Sequence, residues 1–79
     1  MSYVIGIEND HVVISRGVED HLTVINSKED YFAYFEGEAK RLGCKPEQVG
    51  PVYHSSSMDF PDEYTSNPDT LALVAWCNE

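Results

Sequence analysis

The chain carries little of what usually announces a function. Its 79 residues include two cysteines. Cys44 and Cys77 lie far apart and form no C-x-x-C arrangement, so neither a zinc ribbon nor a redox pair is signalled, and both are expected as buried thiols. The five glycines, Gly6, Gly17, Gly37, Gly43 and Gly50, stand singly, which excludes a glycine-rich phosphate loop. Ser55-Ser56-Ser57 lacks the Gly-x-Ser-x-Gly frame of a nucleophile elbow. No stretch approaches the roughly 20 apolar residues of a membrane span. The segment Met1 to Ile7 has no basic region and meets Glu8 and Asp10 at once, so a signal peptide is not expected and a reducing cytoplasm is the expected location.

Basic residues are also scarce. Five lysines and arginines face fourteen aspartates and glutamates, for a formal net charge of -9. Arg16, Lys28, Lys40, Arg41 and Lys45 all precede residue 46. From Pro46 to Glu79 come Glu47, Asp59, Asp62, Glu63, Asp69 and Glu79 with no cation among them. Such a field repels nucleic acid and anionic membrane, so neither is an expected partner, and it draws basic protein surfaces toward it. The alternative reading is that acidity serves solubility alone.

A chain this short buries only about 60 % of its unfolded surface, which leaves room for one compact core and no second domain. Residues 1–79 are therefore read as a single acidic α+β domain. Tyr3, Ile5 and Ile7 alternate with Val4 and Gly6, Glu8-Asn9-Asp10 supplies turn chemistry, and His11 to Ser15 follows as a second strand. Arg16 to Asp20 is a second turn and His21 to Ile25 a third strand, giving an opening β-meander.

Ser27-Lys28-Glu29-Asp30 opens a helix expected over 28–42. Ser27 is its cap, Tyr31, Phe32, Phe35, Ala39 and Leu42 form its apolar stripe, Lys40 and Arg41 sit in its last turn, and Gly43 is its stop. Pro46 to Val49 reads as a short helical turn, Val52 to Ser57 as a polar edge strand, and Met58 to Pro68 as an irregular surface loop. Thr70 to Cys77 is apolar on both faces of a strand and is expected in the middle of the sheet. The expected architecture is an antiparallel sheet of four to five strands, with the C-terminal strand central, packed on one amphipathic helix. One helix covers one sheet face, so Val4, Val13, Val24, Ala72, Val74 and Trp76 are left on the other, a candidate self-association face and the basis for expecting a homodimer.

Chemistry finds few candidates. Asp10-His11 and Asp20-His21 are matching dipeptides, but sequence neighbours point to opposite faces of a strand and a zinc site needs three or four converging ligands. Turn-flanking surface histidines explain them better, and no metal or cofactor is expected. A Cys-His pair built from Cys44 or Cys77 with His54 has no activating environment in sight. The chain is not expected to be an enzyme.

The segment Met58-Asp59-Phe60-Pro61-Asp62-Glu63-Tyr64 is the candidate partner-binding element. Met58, Phe60 and Tyr64 supply anchors of the kind enriched at interfaces, and Asp59, Asp62 and Glu63 select basic partners. The competing reading has Phe60 and Tyr64 tucked onto the sheet to pin the loop. In size, charge and lack of a catalytic set, the chain resembles in kind the counter-defence proteins of bacteriophages and other mobile elements, including nucleic-acid mimics. That likeness implies an acidic inhibitor or adaptor occupying a basic surface of a host nucleic-acid-handling or defence complex. Mimicry would use the acidic groups Glu8/Asp10, Glu19/Asp20, Glu29/Asp30, Glu36/Glu38 and Asp59/Asp62/Glu63. An immunity or antitoxin-like protein neutralising a toxin is the first alternative, and a small ligand-binding module the second.

Overall fold

A computed structural model describes residues 2–17 and 21–79. β1 (Tyr3–Glu8) and β2 (His11–Ser15) form a hairpin in which Glu8 pairs with His11 and Ile5 with Ile14. Its two-residue turn places both Asn9 (φ 52°) and Asp10 (φ 67°) in the left-handed region, the geometry whose twist matches the flanking strands and which Asn and Asp tolerate. β3 (Thr23–Ile25) pairs antiparallel with β2, completing the expected meander. The expected turn between them begins with a bend at Arg16 and Gly17, and Val18, Glu19 and Asp20 lie outside the described residues.

α1 spans Lys28–Leu42, as the local signals predict. Ser27 Oγ accepts from the Asp30 amide at 3.2 Å, and the Asp30 carboxylate accepts from the Asn26 amide at 3.0 Å, so the reciprocal arm of the cap lands one residue early. Gly43, at φ 72°, closes the helix by donating to the Ala39 carbonyl. The buried stripe is rotated from the expected one: Phe35, Glu38 and Ala39 are buried and Tyr31 and Tyr34 half-buried, whereas Phe32 and Leu42 are exposed. The anchor is Tyr3, whose ring meets Tyr34 and Phe35 edge-on at centroid distances of 6.0 and 5.6 Å. Gly37 is exposed with open space around it, so close packing is not what keeps a glycine there.

A 3-10 turn at Pro46–Gln48 leads into β4 (Val52–His54), which lies beside β1 at the sheet's edge. The strand order is β3-β2-β1-β4, and β4 runs parallel to β1, pairing Tyr3 with Val52 and Ile5 with His54. The sheet is therefore mixed, which corrects the antiparallel expectation. β3 and β4 point the same way at opposite edges, and a chain joining them must recross the sheet. A helix of α1's length, about 22 Å at 1.5 Å per residue, is long enough to make that crossing.

The C-terminal segment overturns a larger expectation. Pro68–Cys77 is a helix, labelled α3 here, and not a central strand. Asn67 caps it by accepting from the Asp69 amide at 3.0 Å, and Pro68 occupies the first-turn position that suits a residue with no N–H. The buried residues Thr70, Leu73 and Val74 fall at helical spacing. A continuous apolar run fits a buried strand and a buried helix equally by periodicity, and here the cap decides. The edge strand expected over Val52 to Ser57 ends at His54, since Ser56 and Ser57 already belong to the helix α2 (Ser56–Asp59), and the loop expected over Met58 to Pro68 contains the end of α2 and a 3-10 turn (Pro61–Glu63).

Three helices thus replace the expected one, and their buried residues gather on one sheet face. Tyr3, Ile5, Ile7, Val12, Ile14 and Ile25 cluster with Phe35 of α1, Met58 of α2, and Leu73 and Val74 of α3. The register puts Val4, Val13, Val24 and Tyr53 on the other face. Val74 and Trp76, expected there as well, belong to α3. Val74 is in the core and Trp76 packs against it, beside Tyr31 and Phe32, because a helix distributes its side chains every 3.6 residues and not every two. Gly6 sits on the second face where an added Cβ would run into the Ser55 hydroxyl, so this position requires glycine for close approach.

Candidate functional site

The candidate element Met58 to Tyr64 is held at both ends. Past the end of β4, the Ile7 amide donates to Ser57 Oγ at 2.9 Å, and Ser57 shares a 2.6 Å hydroxyl contact with Ser55. Asn78 Nδ2 donates to the Met58 carbonyl at 2.9 Å. At the far end, Thr65 is buried, donates its amide to the Pro61 carbonyl and accepts from the Asn67 amide at 3.1 Å.

Between these anchors Phe60 is 60 % and Tyr64 49 % exposed, and Asp59, Asp62 and Glu63 are all at the surface. Neither ring stacks on another aromatic among the described residues. Met58 does not share their surface. Its side chain is fully buried in the core, because the α2 turn aims it under the sheet, so it positions the element and is no part of the exposed surface.

A second feature went unread in the sequence. Glu38 is buried, and its carboxylate accepts from Tyr3 Oη (2.9 Å), Arg16 Nε and Nη2 (2.7 and 2.9 Å) and Arg41 Nη2 (3.0 Å). The bidentate Arg16 contact, reinforced by Arg41 and Tyr3, outweighs burial and holds the Glu38 pKa at about 2. Burial, and then the hydrogen bond to Glu38, pushes the Tyr3 phenol up. A carboxylate this strongly acidic is ionised at neutral pH and accepts no proton there, so the cluster ties β1, the end of β2 and α1 together. It also removes Glu38 from any phosphate-like array with Glu36. The pair Glu19/Asp20 of that array lies outside the described residues. The sequence signal for Glu38 was its position seven residues after Tyr31, on the apolar side of α1, with Arg41 three residues on.

A groove of about 380 Å³ opens between α1, the Pro46–Gln48 turn and β4. Tyr31, Phe35, Val49 and Val52 form its apolar walls, Phe32 and Pro46 its lip, and Glu36 and Glu47 also line it. Trp76 borders it, with centroid distances of 5.2 Å to Tyr31 and 5.6 Å to Phe32, and Lys28 Nζ lies 5.6 Å from the centre of its ring. Burial raises both the Tyr31 phenol and the Cys77 thiol. Cys44 and Cys77 are half-buried free thiols.

His11, His21 and His54 are exposed, and Asp20 of the second Asp-His dipeptide lies outside the described residues. Among the described residues no three His, Cys, Asp or Glu side chains gather to hold a metal, and no helix is long and apolar enough to cross a membrane. Compared with protein-family models, with curated proteins and with solved structures, the chain matches none.

Proposed function

We propose that this protein is an acidic protein-binding module, an inhibitor or adaptor that occupies a basic surface of its partner through the segment Asp59 to Tyr64. The observation that carries the reading is the pair of large exposed rings, Phe60 and Tyr64, displayed among three surface carboxylates on a backbone pinned at Met58 and Thr65. Aromatic anchors contribute most of an interface's energy, a fixed backbone lowers the entropy lost on binding, and flanking carboxylates speed encounter with a cationic surface. A neutraliser of a basic toxin would use the same surface. Self-association through the second sheet face is part of the same proposal, centred on Val24 and Tyr53, which are 45 % and 57 % exposed, with Val4 half-buried beside them; Val13, expected on that surface too, is buried within the monomer and is no part of it.

Capture from host lysate with the parent and with a Phe60→Ala/Tyr64→Ala variant tests the reading. Basic proteins retained at low salt and released at high salt should be lost from the variant, with affinity reduced about tenfold or more and the melting temperature unchanged. Unchanged capture together with a lowered melting temperature would show that the rings serve the fold and sink the proposal.

A further inference from the structure

We infer that the groove between α1 and β4 is a second binding site, separate from the Asp59–Tyr64 element, and that it takes an extended peptide segment carrying an aliphatic or aromatic anchor next to lysine or arginine. Its volume of about 380 Å³ suits one or two buried side chains and lies within the range of ordinary ligand pockets, roughly 300–1,000 Å³. The walls are apolar, and Phe32, although its ring meets Trp76 and Tyr31 edge-on, leaves 54 % of its surface exposed at the groove.

Charge selects the occupant. Glu36 from α1 and Glu47 from the 3-10 turn both line the groove, no lysine or arginine lines it, and neither carboxylate is in an ion pair among the described residues. Lys40 and Lys45, close in sequence, are not lining residues, and the nearest cation placed by a contact, Lys28, sits over the Trp76 ring at the border and is not a lining residue either. A neutral small molecule would gain nothing from these carboxylates, and a second copy would bring a net charge of -9 to a rim that is already negative. A cationic flank gains from both. Extended geometry follows from Val52, which belongs to the edge strand β4, so among the described residues one row of that strand's backbone groups has no strand beside it and can pair with an added chain.

Selection from a displayed library of random linear peptides tests the assignment, followed by titration of enriched Trp-free peptides against the fluorescence of Trp76, the only tryptophan in the chain. Enriched peptides are expected to join an apolar anchor to Lys or Arg. Glu36→Gln/Glu47→Gln should weaken them about three- to tenfold at low salt, and Phe32→Ala about tenfold or more. Phe60→Ala/Tyr64→Ala should leave them bound, which separates this site from the first. Glu47→Lys, a change on an exposed turn, gives the same loss if Phe32→Ala lowers the melting temperature. No enrichment, enriched peptides without basic residues, or peptides indifferent to both Phe32→Ala and Glu47→Lys would overturn the assignment. So would a Trp76 signal that changes with protein concentration alone, which would place a second copy in the groove.

Discussion

The two faces of the sheet are built from the same strands, one residue out of step, and they meet different fates. Tyr3, Ile5 and Ile14 are completely excluded from solvent under the helices, while on the opposite face Val13 and Ser15 are buried but Val24 and Tyr53 keep 45 % and 57 % of their surface exposed. Composition separates them only in part: both carry β-branched residues, and the second face also holds Gly6, Glu8, His11 and Ser15. The route of the chain does the rest. The sole long crossing, α1, lies over the first face, and the two later helices fill the space that remains beside it. A hydrophobic face of a strand is therefore only a request for cover, and the connections decide which request is met.

The comparison can be tested from both sides. Met58 is fully buried in the covered face, so Met58→Ala should cost about 2–5 kcal/mol in a denaturant titration. A loss below about 1 kcal/mol would show that α2 is not part of the core.

Next comes Glu38→Gln, expected to cost about 2–3 kcal/mol because it leaves Arg16 and Arg41 close together without their shared carboxylate. Its pH signature is distinctive. The folded pKa of about 2 lies below the ordinary 4.5, so the cluster's contribution is complete above pH 4.5 and is lost as pH falls toward 2. The parent should show that loss of stability, and the variant should lack this part of it.

The smallest effect on the fold, within about 0.5 kcal/mol, is expected for Val24→Lys on the second face. The same variant decides the fate of that face. A dimer mass for the parent and a monomer mass for the variant, by light scattering, would make it the surface where two copies meet. Equal masses would leave it facing solvent.

The parts of this protein that could be read in advance are those whose signals lie within a few residues. The Asn9-Asp10 turn fixes the hairpin, and Ser27, Lys40, Arg41 and Gly43 bound α1 without reference to the rest of the chain. The exposed aromatics and acids of Asp59 to Tyr64 were likewise visible as a composition. The groove was not, since its walls come from α1, the Pro46–Gln48 turn and β4, brought together only by packing. Nor was Glu38, because one acid on an apolar stripe acquires meaning only when Tyr3 and Arg16 arrive from residues 35 and 22 positions away.

By itself, then, the sequence determined the β1–β2 hairpin, α1, the acidic charge and the α+β character, all of which depend on short-range sterics, capping and charge. Tertiary structure decided that β4 runs parallel to β1, and it acted with the local Asn67 cap in making Thr70 to Cys77 a helix with Val74 inside. A short apolar run satisfies the hydrophobic effect in either conformation, and only the space left beside α1, together with the Asn67 cap, makes the helix the better filling.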